Sequence, residues 1–211
     1  MKQTAILFSL IVLMFSCKKK EDSDEPKTYA NYSALSIGNY WVYDYNSYNE
    51  NGTLDVSISA YDSICINGDT VVNGNRYFKR SRFENNYFIG ASYLRDSMHY
   101  IVSLNGGIVF SSEDFGRVFR SDYLVFGNDT FCRREFSMQN KNGVTNVPAG
   151  TFTTHSLQNK LYLFPNYAKT NPIRNVEYKY AAGIGLVYFT EISTSSTYAY
   201  FDYKLSRYKV K

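Results

Sequence analysis

From Tyr29 to the C-terminus, runs of residues rich in Tyr, Phe, Val, Ile and Thr alternate with clusters of Asn, Gly and Asp, a rhythm that constrains the fold more than any other feature. The runs are Tyr40–Tyr45, Leu54–Ile66, Thr70–Val72, Arg76–Phe83, Tyr87–Leu94, Met98–Leu104, Ile108–Phe110, Phe131–Gln139, Thr151–Leu163, Val176–Ala181, Leu186–Ile192 and Thr197–Val210. Between them fall Asn67-Gly68-Asp69, Asn73-Gly74, Asn85-Asn86, Asn105-Gly106-Gly107 and Lys141-Asn142-Gly143. Asn and Gly tolerate the positive φ that primed hairpin turns require. Turns that short make successive strands antiparallel neighbours.

In the last run Ala199, Phe201, Tyr203 and Leu205 share one face, while Asp202, Lys204 and Ser206 take the other. Such a strand has one buried and one solvated face. No window of 12 or more residues combines helical periodicity with caps, and Ser111–Asp129 is the one stretch left for a short helix. About ten strands in one domain must curl or split into two sheets. The expected fold is all-β, an antiparallel meander forming a sandwich or a partly open barrel.

Aromatic residues make up 18% of the chain, with 21 Tyr, 15 Phe and one Trp, which excludes a disordered chain. Four prolines in 211 residues exclude a Pro-rich spacer. Residues 29–211 form one expected domain, large enough to fold without disulfide or metal. Its acidic and basic residues nearly balance and no basic run of five occurs, so nucleic acid is not an expected partner.

The N-terminus carries an address. Residues 1–16 hold a positive end, Met1-Lys2, and an apolar run from Ala5 to Phe15. Eleven residues are too few to cross about 30 Å of hydrocarbon as a helix. The run matches the apolar core of a secretory signal. The following Met14-Phe15-Ser16-Cys17 resembles the lipobox of bacterial lipoproteins, which implies lipidation of Cys17 as the first mature residue. Each buried CH₂ of an acyl chain contributes about 0.8 kcal/mol, so two or more chains hold a protein stably on a membrane. Residues 17–28 then make a lipidated cysteine and solvated tether, with Lys18–Lys27 neutral overall. A lysine-then-acid stretch directly after the lipid cysteine resembles the export signal of surface lipoproteins in the Bacteroidota. It implies an outer-membrane anchor at the cell surface, with a periplasm-facing tether as the alternative.

Further phrases carry the same resemblance. Gly38-Asn39-Tyr40-Trp41-Val42-Tyr43, Asp69-Thr70-Val71-Val72-Asn73-Gly74, Val147-Pro148-Ala149-Gly150-Thr151-Phe152 and Gly183-Ile184-Gly185-Leu186-Val187 are similar to landmarks of uncharacterised Bacteroidota envelope lipoproteins. The resemblance implies a β-rich envelope protein and brings no catalytic residue with it. Read from the residues alone, Trp41 is a core anchor. Gly183 and Gly185 enter a strand without the helix N-terminus that phosphate binding needs, and Pro148 with Gly150 shapes a turn or bulge before the Thr151 strand.

Chemistry-bearing constellations are scarce. His99 and His155 stand far apart with no metal-ligand spacing and are expected on strand faces, so neither metal nor cofactor is expected. Ser206 and Lys209 match S-x-x-K but point to opposite faces of a strand. Glu113-Asp114 reads as a solvated acidic pair on a loop. Cys65 and Cys132 leave a disulfide open, with two buried free thiols the favoured reading. Ser63, Thr70 and Ser97 resemble the Asp-Ser/Thr-aliphatic acceptors of Bacteroidota O-glycosylation.

The expectation is therefore a non-catalytic envelope module that binds a partner or ligand, or serves structurally. Carbohydrate binding, with Tyr198 and Tyr200 as stacking rings, is one alternative. A carrier of an apolar molecule inside a half-open barrel is a second, recognisable by a large apolar cavity with few polar lining groups. A hydrolase without a recognisable motif is a third. The expected partners are the membrane, through the lipid, and a glycan or envelope protein.

Overall fold

A computed structural model describes residues 27–49, 51–168, 172–192 and 198–211, without the side chains of 56–59, 198 and 199. The signal segment, Cys17 and the tether up to residue 26 lie outside the described residues. Among the described residues thirteen strands and one short helix follow in chain order. They are β1 (Tyr40–Asn49), β2 (Leu54–Val72), β3 (Asn75–Glu84), β4 (Tyr87–Ser97), β5 (Tyr100–Ser103), β6 (Ile108–Ser111) and β7 (Val118–Phe126). After these come β8 (Asp129–Met138), β9 (Gly143–Val147), β10 (Gly150–Leu163), α1 (Pro165–Ala168), β11 (Ile173–Ala181), β12 (Gly185–Ile192) and β13 (Tyr198–Lys209).

All ladders are antiparallel, and the path runs β6-β5-β4-β3-β2-β1-β13-β12-β11-β10-β8-β7, with β9 beside β10. The sheet curls until its two edge strands, β6 and β7, face one another. The result is a nearly closed barrel, so the sequence expectation of a partly open barrel holds and the sandwich does not. Across the seam Arg120 of β7 donates a hydrogen bond to the Ile108 carbonyl of β6 at 2.9 Å.

Several local readings are corrected. Asn67-Gly68-Asp69 does not turn: β2 runs through it, and the register shifts between Ile66 and Gly68 as a bulge that bends the strand. The turn falls at Asn73-Gly74, both at positive φ, 50° and 75°. The stretch Ser111–Asp129 holds β7 instead of a helix, and the helix sits at Pro165–Ala168. Met98 and His99 form the β4–β5 turn, so His99 is not on a strand face.

Cross-strand register separates the faces. Trp41 pairs with Ile64, Ile64 with Arg82, Ile66 with Arg80, and Tyr43 with Asp62 and Leu205, all facing inward. One end of the interior is filled. The arm before β1 drops Ala34 and Leu35 into it, against Trp41, Tyr43, Ile66, Leu94 and Leu186. Only a void of about 20 Å³ is left there, beneath Leu35. Trp41 is 3% exposed and donates its indole N–H to the Ile184 carbonyl at 2.7 Å, which makes it the anchor the sequence suggested. Gly185, at φ +95°, lets this strand pass close by, since a Cβ there would stand 3.4 Å from Trp41 and from the Ser33 carbonyl. A second cluster, Phe131, Cys132, Leu161 and Val176, packs the wall of β8, β10 and β11.

Candidate functional site

Between the two clusters the interior is polar. Pleating aims Arg80 and Arg82 inward from β3, Arg120 and Asp122 from β7, Arg134 and Phe136 from β8, and Asn159 from β10. From β11, β12 and β13 come Tyr178 and Tyr180, Phe189 and Glu191, and Tyr203. All of these but Asp122 and Tyr203 line a cavity of about 250 Å³ whose wall carries four arginines and a single glutamate. A second cavity of about 310 Å³ shares Arg134, Asn159, Tyr178 and Glu191 with the first and is otherwise lined by Leu124, Phe126, Phe131, Leu161, Val176 and Ile192.

The charges form two walls. On one, the Arg82 guanidinium donates to Asp62 Oδ2 at 2.6 Å and to both Glu191 oxygens at 2.5 and 3.1 Å. Tyr203 donates its hydroxyl to Glu191 at 3.0 Å, and its ring stacks on Phe189 at 4.2 Å. On the other wall Arg134 donates to Asp122 at 2.6 Å. Arg120 Nε lies 3.4 Å from Asp122, an ion pair without hydrogen-bond geometry, and its guanidinium sits 3.5 Å from the Phe136 ring centroid.

Burial shifts these groups. Asp62, with its side chain 1% exposed, is pushed up to about 6 by loss of water, against the opposing pull of Arg82. Burial pulls Arg82 down, but Glu191 and Asp62 more than reverse this and its net shift is upward. Arg120 goes down, because burial and the neighbouring Arg134 outweigh Asp122. Desolvation raises Tyr178 and Tyr203, with Glu191 adding to both, so neither phenol ionises near neutral pH. Two buried acceptors in this region, Asn159 Oδ1 and Asp62 Oδ1, have no hydrogen-bond partner. Arg80 makes no ion pair among the described residues and is bonded to the Tyr180 hydroxyl.

Residues singled out in the sequence lie elsewhere. Cys65 faces out from β2 and is half-buried, whereas Cys132 faces in from β8 and is buried; both are free thiols. Side chains on opposite faces of the barrel wall cannot join, which removes the disulfide. Ser63, Thr70 and Ser97 all sit on the outer face, partly exposed. Tyr198 opens β13, with its side chain outside the described residues. Tyr200 is on the outer face, 36% exposed, stacked on Tyr48 at 4.6 Å, and borders an outer polar groove of about 620 Å³ with Gln158, Glu177 and Thr190. Asp202, expected to be solvated on that face, is 4% exposed and holds Asn46, Tyr48 and Lys204.

His155 is buried at 3%, shifted downward by burial, and bonded to the Tyr32 hydroxyl of the arm at 3.0 Å. Asp114 is not a loosely solvated acid: Tyr100 donates to it at 2.6 Å and Arg117 pairs with it at 2.7 Å. Among the described residues no group of three His, Cys, Asp or Glu side chains could hold a metal.

The sequence reading missed the inward arginines. Arg80 and Arg82 share β3 with Tyr77, Phe78 and Phe83, which put aromatic rings on both faces. Polarity alone therefore points such arginines outward. Only the pairing of Ile64 and Ile66 with them reveals the inward direction.

No protein-family model matches the chain, and no curated protein matches it. A solved structure from Bacteroides fragilis NCTC 9343, described as a candidate exported protein with a YmcC-like fold, shares the fold. It has a TM-score of 0.54 and 12% identity, over 86% of this chain and 100% of that one. A candidate lipoprotein from Parabacteroides distasonis ATCC 8503 gives a TM-score of 0.49 and 12% identity, over 87% of this chain and 100% of that one. At such identity the likeness to the Bacteroides fragilis protein is one of fold alone.

Proposed function

We propose that this protein is a lipid-anchored module of the cell envelope, held on the outer membrane through Cys17 and facing the cell surface, that binds a small molecule inside its β-barrel without transforming it. The observation that carries the binding site is the interior cavity of about 250 Å³, bounded by four arginines and adjoining a buried Asn159 oxygen with no partner. A chain that needed only to fold would fill such a space with apolar side chains. The leader and the Cys17 motif support the envelope address, and the Bacteroides fragilis neighbour is itself described as a candidate exported protein.

The wholly apolar cargo considered from sequence fits this interior poorly, because charged groups line it. Catalysis is not part of the proposal: the inward carboxylates Asp62, Glu191 and Asp122 are all engaged by arginine. Val109 lines the cavity from the edge strand β6 and is half-buried, so Val109→Trp fills the space with little disturbance of the core. A small-molecule library monitored by thermal shift is expected to yield ligands that stabilise the wild type and leave Val109→Trp unmoved. Ligands that stabilise both equally would contradict the interior site.

Carbohydrate binding is the second reading, favoured by the outer polar groove beside Tyr200. Its test is a glycan array with wild type and Tyr200→Ala; signal that Tyr200→Ala abolishes would move the site to the outer face. Modification at Ser63, Thr70 or Ser97 is proposed on the same outer surface, and an intact mass of the native protein free of hexose-sized increments would contradict it.

A further inference from the structure

We infer that the interior site, if the reading above holds, takes an amphipathic hydroxy-carboxylate: a monoanionic head, a hydroxyl near it, and an apolar body. The head follows from charge. Asp62, Glu191 and Asp122 are matched by Arg82, Arg134 and Arg120, while Arg80 faces the same cavity with no carboxylate among the described residues. Arg120 is only loosely matched, since its buried Nε lacks a hydrogen bond. A guanidinium that faces the cavity without a carboxylate has already lost part of its water, so a ligand carboxylate pairs with it through charge-assisted hydrogen bonds that offset the ligand's own desolvation. A dianion would meet Glu191 in the same wall.

The hydroxyl follows from Asn159. The residue is 5% exposed, its Oδ1 has no donor, and it borders both cavities. An acceptor in that position is satisfied by an O–H on the ligand, and a ligand without one leaves it orphaned at full desolvation cost. The body follows from the second cavity. Beyond Arg134 and Asn159 its lining changes to Leu124, Phe126, Phe131, Leu161, Val176 and Ile192. The ligand therefore lies with its carboxylate at Arg80 and Arg120, its hydroxyl at Asn159 and its apolar part among these side chains.

Calorimetric titration of the full chain with 3-hydroxydodecanoate, dodecanoate and dodecanol, below their aggregation limits, tests this. One site is expected, with affinity falling in that order. Arg80→Gln should weaken both acids by at least about tenfold and leave dodecanol unchanged. Arg80→Lys should restore most of the loss, and Asn159→Leu should erase the advantage of the hydroxyl. Dodecanol binding as tightly as dodecanoate would overturn the anionic head while leaving the interior site standing. Equal binding of the two acids would overturn the hydroxyl. Failure of all three to bind the wild type would overturn the amphipathic hydroxy-carboxylate, whereas the interior site stands or falls by the Val109→Trp comparison.

Discussion

Two residues show how local chemistry sets the terms for this molecule. Trp41 fills the closed end and spends its one donor on the Ile184 carbonyl. Trp41→Ala should cost about 3–5 kcal/mol, the usual range for a buried aromatic ring, measured by urea unfolding. Asp62 works in the opposite sense. Its carboxyl moves from an unfolded value of 3.8 to about 6 in the folded chain, where Arg82, Glu84 and Glu191 face it. The native state thus binds the extra proton between those values, and the contribution favours folding most below about pH 4 and is lost as pH rises through 6. Relative to Asp62→Asn, the wild type should lose stability from pH 4 to pH 7. Parallel curves for the two proteins would show that Asp62 is not desolvated. Neither behaviour is legible in sequence: Trp41 reads as core, but the carbonyl it needs is 143 residues away.

At the scale of elements, the Asn-Gly turns and period-two runs located most strands, because turn chemistry is local and the pleat repeats every second residue. The misreadings are instructive. Asn67-Gly68-Asp69 has turn composition, yet its pairing with Arg80 and Lys79 continues on either side of a bulge, and tertiary pairing overrides local preference. Strand β7, missed in the sequence, carries Arg120, Ser121 and Asp122 between apolar residues, and both of its faces are mixed. That mixture arises because its inward face looks onto a polar cavity. Among the described residues no backbone ladder joins β6 to β7, and the Arg120 side chain crosses the seam instead. Arg120→Met should therefore speed amide hydrogen exchange in β6 and β7 and leave β1 and β13 protected. Uniform acceleration throughout the sheet would show that the seam is not an independent unit.

For the whole molecule, the path from β6 to β7 makes every strand a neighbour of its sequence predecessor or successor, apart from β1 beside β13 and β10 beside β8. A meander of that kind was readable; its closure was not, since curvature comes from bulges and the filled end from the arm at Ala34 and Leu35. The envelope address is proposed from the leader, and Cys17→Ala is expected to release the protein from the membrane fraction, whereas continued membrane association would contradict lipid anchoring. The site was not readable, because it is assembled from inward residues scattered over eight strands, none of which forms a motif.

The central claim is that the interior, and no outer surface, holds the ligand. Intermolecular nuclear Overhauser effects between bound 3-hydroxydodecanoate and methyl-labelled protein test it most directly. Contacts to the methyls of Leu161, Val176 and Ile192 are predicted for the ligand chain, and to Ile64 or Leu157 near its head. Contacts confined to outward methyls such as Val144 and Val71, with those of Leu157 and Leu161 silent, would contradict it.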